Sequence, residues 1–307
     1  MLSRVADAVF WMARYMERTD NVLRVLRTSY IASQDEIQDF NWQLWVDGLG
    51  AFSSNPNVKV SNYQEALNHM ILSRENDTSV LTNIARAREN ARSVQDYITK
   101  EVWQVINEYY HLVRDPKTEN LLLKNDPVTA FDNLLRESVL FHGTVDITMN
   151  RGEGYIFLSI GKYIERILRS LDILELKIRE IENGGNEAMQ WKYLLYALSG
   201  YEFHSKNYKN ALQLEAVTHQ IFLDVQFPHS VLYSLLQVER YFKRLEDISL
   251  PEHFKELEFL VGRATSNLRY TSKHNSGMEE VKSWIVETRL EVKGVSQKLA
   301  NLYFGYS

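Results

Sequence analysis

Cysteine is absent from the 307 residues, which excludes disulfides, thiolate zinc sites and a cysteine nucleophile. Glycine and proline are scarce, at 13 and 5. A β-rich domain needs more turns than these supply, whereas long uninterrupted helices need few. Basic residues are not in excess: 35 Lys and Arg face 40 Asp and Glu, a net charge of −5. Little is left to neutralise phosphates, so no nucleic-acid partner is expected. No apolar run approaches the ~20 residues of a membrane helix. Nor does the N-terminus read as a leader, because Asp7, Arg14 and Glu17 interrupt its apolar residues at helical spacing. A soluble, cytoplasmic protein without a membrane partner is expected, and oligomeric state stays open. The histidines show no HExxH or other ligand spacing, and there is no GxGxxG, P-loop or Ser-His-Asp arrangement. Neither a metal nor a cofactor is expected.

Hydrophobic residues make up 45% of the chain, enough for a sizeable core. Leu2, Val5, Val9, Met12, Met16, Leu23, Leu26 and Tyr30 recur at helical intervals and mark one long amphipathic helix. Residues 35–53, with Trp42 and Trp45, read as a connection. Ser61 with Gln64 makes a capping-box start. A stripe from Val80 to Tyr109 predicts one helix from Ser79 toward Val113. Asp126-Pro127 opens another, to about His142, and "GTVDITMNRGEG" reads as a connection. Further helices are predicted over 153–182, 187–204, 207–224, 229–247, 252–271 and 277–303, with "ENGGNE" as the clearest break.

Two strings repeat. "ARYMERTDN" (13–21) aligns with "GKYIERILR" (161–169), 148 residues on, pairing Tyr15 with Tyr163, Glu17 with Glu165 and Arg18 with Arg166. "SVLTNIARARENA" (79–91) aligns with "SVLYSLLQVERYF" (230–242), which sets Arg88-Glu89 against Glu239-Arg240 in reverse order. The expected fold is therefore all-α: a multi-helix bundle forming a single domain over 1–307. Two pseudo-repeated halves, about 1–150 and 151–307, share its core.

Each charged pair begins one residue after a stripe position, at the shoulder of an apolar face. Charges there should be paired or face a wet cleft. One reading is interhelical pairing, with Glu17 and Glu165 bridging to Arg88 and Arg240. The other is a cavity holding a polar ligand, where Glu positions an amine or acts as a base and Arg grips an anion. Arg14, Arg86 and Arg92 favour the second, since Arg14–Arg18 and Arg88–Arg92 are like-charged i,i+4 pairs that repel unless something negative lies between them. Arg151, just before the second ER helix, is a further candidate. Tyr109-Tyr110 reads as core.

Four strings together, "MLSRVADAVFWMARYMERTDN", "RARENARSV", "MNRGEGYIFLSIGKYIERILRSLDIL" and "FLDVQFPHSV", resemble the bacterial alpha-E domain family, named for an α-helical domain with an ER motif. The ER motif falls on Glu17-Arg18 and Glu165-Arg166, and the RENAR motif on Arg88, Glu89, Asn90, Ala91 and Arg92. Two positions depart from the family pattern, Lys162 and His229, each where arginine is usual. The resemblance implies circularly permuted ATP-grasp and transglutaminase-like proteins as partners, in a peptide- or amide-forming modification system. Three functions are open: an accessory subunit of an ATP-grasp ligase with an Arg/Glu-lined cleft; an enzyme using Glu17, Glu89 or Glu165 with Arg18, Arg88 and Arg166; or a scaffold with register-setting ion pairs. No catalytic residue is assigned.

Overall fold

The computed structural model describes residues 1–35, 42–43, 46, 58–209, 211–246, 254–270 and 277–305. Among them lie thirteen α-helices and no strand. The predicted connection over 35–53, including Trp45, falls largely outside the described residues. Contacts divide the chain into two compact units, Tyr15–Asn150 and Met1–Arg14 with Arg151–Ser307. The divisions fall at 14/15, inside the first helix, and at 150/151.

Helix α1 (Ser3–Asp35) buries residues on nearly every side, among them Val9, Met12, Met16, Leu23 and Leu26 but also Arg14, Glu17, Asp20 and Asn21. In the 15–150 unit it is followed by α2 (Tyr63–Leu67), a π turn (Asn68–Leu72), α3 (Val80–Ser93), α4 (Lys100–Val113), α5 (Pro116–Asn120), a second π turn (Leu121–Asn125) and α6 (Pro127–Thr148). Helix α4 packs against both α3 and α6.

Several predicted boundaries shift, each for a local reason. The start at 61 moves by one: Asn62 caps α2 by accepting from Glu65 N–H, and the Glu65 carboxylate accepts from Ser61 N–H. The helix expected over 79–113 is two. Chain direction changes over 94–99, and Thr99 caps α4 through Val102 N–H. The apolar period runs unbroken through Val94, Ile98 and Val102, all buried, so the pattern carried no sign of the break. Asp126 and Pro127 open α6 as expected, with Asp126 accepting from Thr129 N–H. That helix continues past His142 to Thr148 because its buried stripe continues through Phe141 and Val145. Gly143 sits on its open side, where an added Cβ would meet nothing within 4 Å.

In the second unit α7 (Glu153–Glu182) ends where predicted and, like α1, is buried around most of its circumference. Then come α8 (Glu187–Ala197), α9 (Tyr201–Asn207), α10 (Leu214–Phe222), α11 (Val231–Glu246), α12 (Phe254–Tyr270) and α13 (Met278–Tyr303). Helix α11 packs along α7; α12 packs on α11, and α13 on both α12 and α7. The helix expected over 187–204 breaks at Ser199, whose φ is 52°, and the one expected from 207 starts only at Leu214, after Lys209 at φ 50°. Neither residue type announces a left-handed backbone.

The two aligned serines make the same local structure. Ser79 Oγ accepts from Thr82 N–H and donates to Ser73 O, while Ser230 Oγ accepts from Tyr233 N–H and donates to Asp224 O. Each thus caps its helix and anchors it to the carbonyl six residues back.

Candidate functional site

Both ER glutamates are fully buried rather than at the rim of a cleft. In the second unit Glu165 Oε2 accepts from Arg14 Nε at 2.7 Å, and its other oxygen lies 3.2 Å from Arg169 Nε. The cluster extends: Arg169 reaches Asp172 at 3.0 Å, and Arg289 reaches both Asp172 and Glu175. Burial, opposed by Arg169 and Arg289, raises the Asp172 carboxyl above its ordinary range. Burial also acts to raise Glu175, but hydrogen bonds from Arg289 and Arg179 outweigh it and hold that carboxyl low. Gly161 lets α7 approach closely, since a Cβ there would come 2.5 Å from the Phe10 carbonyl oxygen.

In the 15–150 unit, Glu17 Oε2 lies 3.4 Å from His142 Nε2, and Asn21 Nδ2 donates to the Glu17 carbonyl at 2.8 Å. Arg88 and Arg240 are not the partners of Glu17 and Glu165. Arg88 donates to Asn107 at 2.8 Å and to Glu89, whose other oxygen holds Arg92 at 2.5 Å. Glu89 therefore supplies the negative charge that the Arg88–Arg92 spacing called for, and Glu165 does so for Arg14. Those spacings need no external anion.

The arginine that follows each ER glutamate behaves alike in both units. Arg18 lies over the Tyr15 ring at 5.7 Å and Arg166 over Tyr163 at 5.4 Å. Arg151 is exposed and stacks on Tyr155 at 4.1 Å, while its carbonyl accepts from Arg244. Glu239 pairs along its own helix with Lys243 at 2.9 Å, beside a hollow of about 200 Å³, and Arg240 is exposed.

An open cleft lies in the 15–150 unit. Its volume is about 510 Å³, in the range of small-molecule sites. Leu81, Thr82, Ala85, Arg86, Glu89 and Asn90 of α3 line it with Tyr110 of α4, Arg114 at the cap of that helix, Tyr15 of α1 and Arg74. Of the predicted residues, Arg86, Glu89 and Asn90 line it, and Arg18 and Arg88 border it by stacking on Tyr15 and Tyr110. Arg74, Arg114, Tyr15 and Tyr110 were not legible as site residues. Tyr109 is core as expected, but Tyr110 is not. The missed signal is tyrosine with arginine at i+3 or i+4, as in Tyr15–Arg18 and Tyr110–Arg114, which lets a guanidinium fold back over the ring on one helix face.

Tyr15 carries Arg86 at 5.8 Å, and Tyr110 carries Arg88 at 4.9 Å and Arg114 at 5.1 Å. Arg86 also donates to the Asp77 carbonyl and Arg114 to the Tyr110 hydroxyl. Among the described residues none of Arg74, Arg86 and Arg114 is paired with a carboxylate. Ring stacking positions a cation without neutralising it.

Residues 1–304 match the Alpha-E family, described as a predicted alpha-helical domain with a conserved ER motif. The chain belongs to that family. It is 24% identical over 304 residues to uncharacterized protein Mb2597 of Mycobacterium bovis, and 23% identical over 304 residues to uncharacterized protein Rv2567 of Mycobacterium tuberculosis. Each alignment covers 91% of this chain and 33% of the relative, so the chain spans about a third of the length of these curated relatives. No solved structure matches it. No described helix is long and apolar enough to cross a membrane.

Proposed function

We propose that this Alpha-E protein is a binding subunit: a helical accessory to an ATP-grasp amide or peptide ligase, presenting a polar ligand in the cleft of the 15–150 unit. The observation that carries this reading is the cleft itself, with arginines set on tyrosine rings and Glu89 as its one lining carboxylate. The partner class, ATP-grasp with transglutaminase-like proteins, comes from the family resemblance, and the cytoplasmic location from the sequence pattern. The relatives, about three times as long, carry this domain inside a longer chain, as an accessory module would be.

Catalysis by the ER glutamates has less support. Glu165 is held by two guanidiniums in the interior, and Glu17 is buried against His142. Neither lines the cleft. Glu89 does, but both its oxygens are engaged by arginine. The matching Ser79 and Ser230 caps support the duplication as the origin of the two units.

The test is reconstitution with the neighbouring ATP-grasp protein. Co-purification and a change in ligase turnover are expected, and Arg86→Gln with Arg114→Gln should abolish the turnover effect while the complex still forms. Absence of both complex and turnover effect would refute the reading.

A further inference from the structure

The geometry points to a phosphorylated organic molecule as the ligand of this cleft, a monoester or diphosphate whose organic part packs beside the anion. The inference rests on the cleft being the binding site proposed above and specifies its chemistry.

Three observations lead there. Among the described residues the lining carries three arginines against one glutamate, and that glutamate already holds Arg88 and Arg92. A carboxylate ligand needs one guanidinium fork and one compensating charge. A phosphate monoester brings close to two negative charges and three acceptor oxygens at neutral pH, nearer to the charge of three arginines than a single carboxylate. The arginines come from separate segments, Arg74 after the first π turn, Arg86 in α3 and Arg114 at the end of α4, and all three line the same cleft.

The second observation is size. About 510 Å³ far exceeds a bare phosphate and leaves room for an organic body beside the anion. The third is the rest of the lining. Leu81, Ala85 and the two tyrosine rings offer apolar surface, and Thr82 and Asn90 add neutral hydrogen-bonding groups. Because Arg86 and Arg114 are held by ring stacking and by one neutral oxygen each, their remaining N–H groups are pre-set for a ligand. Pre-set donors lose less freedom on binding.

The experiment uses the full 307-residue chain and three probes at equal ionic strength: phenyl phosphate, inorganic phosphate and benzoate. Thermal unfolding and titration calorimetry are read for each. Phenyl phosphate is expected to raise the unfolding temperature and to bind about tenfold more tightly than either of the others, since only it supplies both dianion and ring. Arg86→Gln and Arg114→Gln should each weaken phenyl phosphate at least about tenfold, the scale of a lost charged hydrogen bond. Arg269→Gln, exposed on α12, should leave it unchanged. If benzoate binds as tightly as phenyl phosphate, the phosphate assignment is overturned while an anion cleft stands. If no probe binds, both the ligand class and the cleft reading fall. If binding survives in both cleft variants, the location is wrong.

Discussion

The same three residues at the same spacing, Tyr-x-Glu-Arg, sit in α1 and in α7, and the two units treat them differently. The outer half is alike: Arg18 and Arg166 each stack on the tyrosine three residues back. The inner half diverges. Glu165 meets permanently charged guanidiniums, Arg14 and Arg169, within a larger acid–base cluster. Glu17 meets an imidazole, His142, and has Asn21 at the place on its own helix that Arg169 occupies beside Glu165. One motif thus serves as the hub of a buried salt-bridge network in one unit and as a buried acid set against an imidazole in the other. A sequence motif fixes that a glutamate goes inside; the rest of the chain decides what neutralises it.

The strongest way to break this comparison is a matched pair of substitutions. Glu165→Gln leaves Arg14 and Arg169 without their shared carboxylate, and loss of one partner of a buried ion pair costs about 3–5 kcal/mol. Glu17→Gln keeps an oxygen acceptor for His142, so a smaller cost is expected there. Urea unfolding of both variants measures the difference, and equal losses would show that the two environments are energetically the same. A second pair probes packing. Gly161→Ala drives a methyl into the Phe10 carbonyl, and such overpacking costs about 1–3 kcal/mol. Gly143→Ala, in open space on α6, should instead stabilise by up to about 1 kcal/mol through helix propensity. Thermal midpoints moving in opposite directions are the expected result.

The fold class was legible because scarce glycine and proline and sustained 3.6-residue periods leave no alternative to helices. Starts marked by a side-chain cap were legible as well, as at Ser79 and Asp126-Pro127. Breaks were not legible where the apolar period ran through them, as over 94–99, or where ordinary residues such as Ser199 and Lys209 adopt a left-handed backbone. For the site, the motif located buried charges, and burial of Glu17 and Glu165 follows from their place on helices packed on nearly every side. Partner identity did not follow. Arg14 with Glu165 and Glu17 with His142 join residues 151 and 125 positions apart, which no local spacing encodes. The cleft was half legible: Arg86, Glu89 and Asn90 lay in a recognised string, whereas Arg74 lay in a connecting segment and Arg114 at a helix end, marked only by its spacing from Tyr110.

The smallest expected effect concerns pH and sharpens the comparison within the Glu165 cluster. Asp172 and Glu175 both bind Arg289, yet their carboxyls are displaced in opposite directions. The folded pKa of Asp172 lies above its unfolded value, so the folded state holds that proton more readily. Its contribution to stability is present below the unfolded pKa and is lost as pH rises through the folded one. For Glu175 the folded pKa is depressed, so its contribution is present above the unfolded pKa and is lost as pH falls through the folded value. Unfolding free energy measured from acid to neutral pH should therefore lose its Asp172-dependent decline with rising pH in Asp172→Asn, and its Glu175-dependent decline with falling pH in Glu175→Gln. Were both variants to alter the same limb, the two carboxyls would titrate as one group, and Arg289 would divide its charge evenly between them.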